Sequence, residues 1–195
     1  MIAASRRLPL LIAVLALALL GLGVVTVVTR PSPQQAQPSS IGGPFTLTDD
    51  NGRSVTDADF KGHPFLVFFG YTHCPDVCPT TLYDLSQVLK AMGADTKVKV
   101  LFITVDPARD TTQQMKEYLT SFDPHIVGLS GNARETKAVE RAYRVYAKKV
   151  PGKNGDYTMD HTSIIYLMNK DGRFVSTFDL DRKPKVAAAE LRKYL

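Results

Sequence analysis

The chain lacks tryptophan entirely and carries only two cysteines and four histidines. With no third cysteine, a thiolate-rich structural zinc site, which needs four ligands, is excluded. No internal repeat is present, so a repeat architecture is excluded as well. An excess of one charge is also missing. Twenty-four Lys and Arg oppose 19 Asp and Glu, and Arg6, Arg7 and Arg30 of that total lie near the first apolar run. Setting those three aside leaves 21 against 19, which gives no electrostatic case for nucleic-acid binding.

The first apolar run, from Leu8 to Val28, holds 21 residues without a charge. At about 1.5 Å per residue it reaches roughly 30 Å, the thickness of a bilayer core. Arg6 and Arg7 precede it and no further arginine comes until Arg30, which favours a cytoplasmic N-terminus. The expectation for residues 1–29 is a single retained membrane anchor in an inner (cytoplasmic) membrane, with the C-terminal domain in the periplasm. The rival is a cleaved signal peptide; Ala16-Leu17-Ala18 resembles a cleavage site but lies inside the apolar run. Residues 30–40 are rich in Pro, Ser and Gln without apolar periodicity and read as a linker. Residues 41–195 form the folded domain, large enough to build its own core.

Within that domain Phe45–Thr48 and Arg53–Thr56 flank an Asn51-Gly52 turn, the mark of a β-hairpin. Phe65 to Gly70 reads as a buried strand, Pro79 to Met92 as a helix and Lys97 to Val105 as a second strand. A helix over Thr111–Phe122, a short strand over Ile126–Leu129 and an amphipathic helix over Ala133–Lys149 follow. A second hairpin spans Ser163–Met168 and Phe174–Phe178 around Asp171-Gly172, and Lys185–Leu195 closes the chain as a helix. A βαβ unit followed by a hairpin and a last helix predicts an α/β domain with a mixed central sheet.

Both cysteines fall in Gly70-Tyr71-Thr72-His73-Cys74-Pro75-Asp76-Val77-Cys78-Pro79, between a buried strand and a helix. Pro79 suits the first helical position, which puts Cys78 at the cap and Cys74 in the loop before it. The partial positive charge of a helix N-terminus favours thiolate, the form that binds metal or attacks a disulfide. Three chemistries stay open. A structural bridge across so short a loop would bring little entropic benefit. A redox dithiol suits the strand–loop–helix setting, although three residues separate these cysteines where two are usual. A soft-metal site needs a further donor, and Cu(I) accepts two thiolates and one nitrogen.

Among the histidines, His63 and His125 adjoin prolines in loops and read as surface residues. His73 can tune Cys74 or stack in its loop. His161, in a polar stretch abutting the strand that begins near Ser163, is either a third ligand or a hydrogen-bonded structural histidine. Asp106 and Asp160 are candidate partners for a bound imidazole, against a capping role for Asp106 and Asp110 at 106–111. Tyr71 and Phe69 are expected to provide apolar cover. Cys74 and Cys78 follow the first core strand, Asp106 ends the second and His161 precedes a third, so they should converge at one sheet edge.

The run Gly70–Pro79, then Val105-Asp106-Pro107-Ala108-Arg109-Asp110-Thr111, then Asp160-His161-Thr162-Ser163, resembles the Sco/SenC family of copper metallochaperones, which assist assembly of the copper centre of cytochrome c oxidase. The resemblance covers roughly Ile41 to Tyr194, and an N-terminal anchor is typical of it. It implies a thioredoxin-like fold with an N-terminal β-hairpin, and copper, Cu(I) or Cu(II), held by Cys74, Cys78 and His161. The cysteines would also form a redox-active pair able to close a disulfide. The implied partner is the oxidase subunit that carries the copper centre, alongside other periplasmic copper chaperones or thiol reductants. His73 inherits no role. The alternative within the same resemblance is a thiol–disulfide oxidoreductase that reduces the cysteines of an apo copper site.

Overall fold

The computed structural model describes residues 41–195; the expected anchor at 1–29 and linker at 30–40 lie outside the described residues. Among the described residues no helix is long and apolar enough to cross a membrane.

A seven-stranded mixed sheet forms the centre, in the order β2-β1-β5-β4-β3-β8-β9. Next to its central strand runs β3 (Phe65–Gly70), buried at every position. Such continuous apolar composition suits a strand covered on both faces. β3 runs parallel to β4 (Lys99–Thr104), and β4 parallel to β5 (Ile126–Ser130). On the other side β3 pairs antiparallel with β8 (Ile165–Met168), which pairs with β9 (Phe174–Thr177). The N-terminal hairpin, β1 (Thr46–Asp49) and β2 (Ser54–Thr56), joins the far edge through antiparallel pairing of β1 with β5.

Both hairpins use the same local chemistry. Asp49 Oδ1 accepts the backbone N–H groups of Asn51 and Arg53, and Asn169 Oδ1 accepts those of Asp171 and Arg173. Gly52 and Gly172 supply the left-handed residue each turn requires, at φ 82° and 75°.

Four helices complete the domain: α1 (Val77–Met92), α2 (Thr112–Leu119), α3 (Ala133–Ala142) and α4 (Pro184–Leu191). Two differ instructively from expectation. α1 starts two residues before Pro79, so Cys78 lies inside its first turn and Asp76 takes the cap position. Pro79 still causes no conflict, because first-turn N–H groups have no helical partner to lose. α3 ends at Ala142 instead of continuing to Lys149. The chain reverses at Arg144, a non-glycine residue at φ 57°, and then forms β6 (Ala147–Pro151). β6 pairs with β7 (Tyr157–His161) as a separate two-stranded sheet, where the sequence had suggested helix and then loop.

Candidate metal centre

β3 ends at Gly70 and delivers the cysteine loop to the sheet edge where β4 also ends. Because β8 runs antiparallel to β3, its start lies at that same edge, and His161 arrives there from β7. Cys78 Sγ and His161 Nε2 are 3.9 Å apart across 83 positions of sequence. The Cys78 backbone N–H donates to Cys74 Sγ at 3.4 Å, so the first turn of α1 also fixes the second sulfur. Both cysteines are free thiols; Cys78 is fully buried and Cys74 half-buried.

The imidazole is oriented by a donor–acceptor argument. His161 Nδ1 lies 3.0 Å from the Thr162 carbonyl oxygen. A carbonyl only accepts, so Nδ1 carries a proton, and in the matching neutral tautomer the Nε2 lone pair faces Cys78. Tyr71, buried, meets the His161 ring edge to face with centroids 5.8 Å apart. Phe69 instead packs inside the core against Tyr143 and Tyr166.

These donors fit a soft metal ion in chemistry and in spacing. Bonds of about 2.3 Å to sulfur and about 2.0–2.1 Å to nitrogen, at a trigonal or tetrahedral angle, place S and N roughly 3.6–3.8 Å apart. The 3.9 Å separation is close to that. The three do not yet surround a point: among the described residues no three His, Cys, Asp or Glu side chains stand as a closed metal site.

Burial overrides the expected helix-end activation of Cys78. Its thiol is pushed far above the ordinary range, first by desolvation, with the neighbouring Cys74 and the Asp110 carboxylate adding to it. A helix N-terminus at an exposed site offers about 0.3–1 kcal/mol, under one pKa unit, whereas full burial moves a group by up to about 3–5 units. Burial thus favours the protonated thiol of Cys78 at neutral pH.

The acidic residues serve other ends than those expected. Asp110 is buried and caps nothing; Thr111 is the cap of α2, accepting from the Gln114 N–H. Asp110 accepts from the Thr72 N–H at 3.1 Å, the Thr72 hydroxyl at 2.6 Å and the Thr104 hydroxyl at 2.6 Å, tying the cysteine loop to the end of β4. Asp106 accepts from Arg109 and from the Tyr157 hydroxyl, not from His161. Asp160 points away, because burial along β7 alternates and places Tyr157, Met159 and His161 on the inner face. The partner of the His161 ring is a backbone carbonyl, which sequence reasoning over side chains could not identify. His73 is exposed and bonds the Thr72 hydroxyl. His63 is exposed, while His125 is half-buried, with Nδ1 2.7 Å from Asp123 Oδ1.

The fold and the site together define a thioredoxin-like domain whose strand-to-helix dithiol faces an imidazole from a separate hairpin. The SCO1/SenC family model matches residues 33–195, and the chain belongs to that family. It is 64% identical to Bradyrhizobium japonicum ScoI in a structure solved with copper bound, with a TM-score of 0.78 over 80% of this chain and 100% of that one. It is 40% identical to the mitochondrial SCO1 homolog 1 of Arabidopsis thaliana over 162 residues, 80% of this chain and 48% of that protein. It is also 40% identical to the human mitochondrial SCO1 homolog over 159 residues, 80% of this chain and 53% of that protein. The chain thus spans about half the length of these two relatives.

Proposed function

We propose that this protein is a copper carrier for assembly of the cytochrome c oxidase copper centre, binding the ion through Cys74, Cys78 and His161. One observation carries the ligand assignment: the 3.9 Å approach of Cys78 Sγ to an imidazole nitrogen whose lone pair faces it. The likeness to a copper-bound ScoI structure supplies the metal.

The reduced pair takes up the ion as cargo and gives up thiol protons, and His161 completes a three-coordinate site. Closing a Cys74–Cys78 disulfide removes both sulfur donors, so loading follows the redox state of the pair. The recipient is the oxidase subunit that holds the copper centre; periplasmic copper chaperones or thiol reductants act upstream. In this reading residues 1–29 anchor the protein in the cytoplasmic membrane as a single-pass helix, with the domain in the periplasm. The protein carries an ion and turns over no substrate.

A thiol–disulfide oxidoreductase makes no demand on His161, and the oriented imidazole beside Cys78 favours the carrier. The reduced full chain should bind one copper ion. His161→Ala should weaken that binding strongly while leaving the thermal unfolding midpoint close to that of the parent. Unchanged affinity in His161→Ala would refute the assignment.

A further inference from the structure

The hairpin that carries His161 shares no ladder with the seven-stranded sheet. Its placement over the cysteines therefore depends on side-chain contacts. The densest of these centre on Arg109, in the turn after β4. Arg109 Nε donates to Asp106 Oδ2 at 2.5 Å, and Nη1 donates to the Tyr157 carbonyl at 3.1 Å and to Asp156 Oδ1 at 3.3 Å. Its Cζ also lies 3.7 Å from the Tyr157 ring centroid.

Tyr157 closes the circuit by donating its hydroxyl to Asp106 Oδ1 at 2.9 Å. One carboxylate thus holds both the arginine and the first residue of β7. Isolated exposed ion pairs contribute little, but here the Asp106 and Arg109 side chains are only 4% and 19% exposed. The planar guanidinium makes a fork and a ring stack with one group, which an ammonium cannot do.

The circuit leads to the metal donor by two routes. Tyr157 lies four residues before His161 on the same face of β7. Arg109 Cζ also lies 5.8 Å from the Tyr71 ring, the ring that meets His161 edge to face.

We propose that Arg109 is a positioning residue, latching the β6–β7 hairpin through Asp106 and Tyr157 so that the His161 imidazole is presented to the cysteine pair. The proposal rests on the carrier reading, and the test separates the two. Cu(I) affinity of the reduced full chain is measured by competition with a chromophoric chelator for the parent, Arg109→Lys, His161→Ala and the double variant. Arg109→Lys should weaken binding by roughly 10–100-fold, the loss seen when a residue that orients a ligand is removed. In the His161→Ala background the same substitution should cost nothing further, because the donor it positions is gone. Amide exchange over 157–161 should quicken in Arg109→Lys.

Parent-like affinity in Arg109→Lys overturns the latch and leaves the carrier standing. An equal loss in both backgrounds overturns it too, since Arg109 would then act on the thiols or on the fold as a whole. If His161→Ala binds like the parent, carrier and latch fall together. Should Arg109→Lys not fold, Tyr157→Phe, which removes only the hydroxyl bonded to Asp106, enters the same cycle with the same outcomes.

Discussion

Gly70 is the place where a single methyl group should report on the metal centre. It ends β3 directly beneath the cysteine loop. A Cβ there would meet Phe102 Cε2 at 2.6 Å and Cys78 Sγ at 2.8 Å. Carbon and sulfur atoms pack about 1 Å farther apart than this. Phe102 cannot yield easily: it is fully buried, with ring centroids 5.9 Å from Phe68 and 6.0 Å from Tyr118. The sulfur must move, or the first turn of α1 must. Overpacking of this kind costs about 1–3 kcal/mol, so Gly70→Ala should lower the unfolding midpoint by roughly 2–12 °C.

The proper comparison is Gly128→Ala. Its added methyl would run into Met115 and Leu119 under α2 rather than against either sulfur. Both variants should lose stability, and only Gly70→Ala should lose Cu(I) affinity, by tenfold or more. Calorimetry of the metal-free proteins and chelator competition of the reduced ones decide it. Equal affinity in the two variants would refute the reasoning, because Cys78 would then tolerate a displaced sulfur.

Other outcomes follow from the same contacts. Asp110→Asn puts an amide where three donors converge; it should cost about 2 kcal/mol, read as a lower urea midpoint. Among the described residues Tyr118 keeps a buried hydroxyl without a partner, so Tyr118→Phe should leave stability unchanged or raise it by up to about 1 kcal/mol in the same assay. The raised Cys78 pKa means that metal uptake displaces its proton, so apparent copper affinity should climb with pH, by up to about tenfold per unit from this thiol alone. For the reduced, metal-free protein the sign reverses. The folded state keeps a proton that the unfolded chain loses above about pH 8.5, so stability should hold below that pH and decline above it by up to about 1.4 kcal/mol per unit.

The central sheet was legible because its signals are local. A run of six buried residues marked β3, and Asx–Gly turns marked both hairpins that flank the sheet. The β6–β7 hairpin was not legible. The amphipathic pattern of α3 runs on past its true end, and no glycine or proline marks the stop; Arg144 adopts the left-handed conformation instead. The start of α1 was misplaced because Pro79 is equally comfortable at the first or third helical position. Residue types singled out the cysteine pair and left His161 open between two roles until the family resemblance grouped the three, and none of this revealed their environments. Depth of burial reverses the expected state of Cys78, and the partner of the His161 ring is a main-chain oxygen that every residue possesses.

The separateness of the two-stranded sheet bears on how cargo could leave. On the proposed carrier reading, one jaw of the grip belongs to the main sheet and the other to an arm fastened by polar and apolar side-chain contacts alone. Swinging that arm aside breaks no rung of the large sheet, so surrender of the ion is decoupled from melting of the domain. The energy needed to let go is then a quantity that evolution could adjust one contact at a time without touching the core.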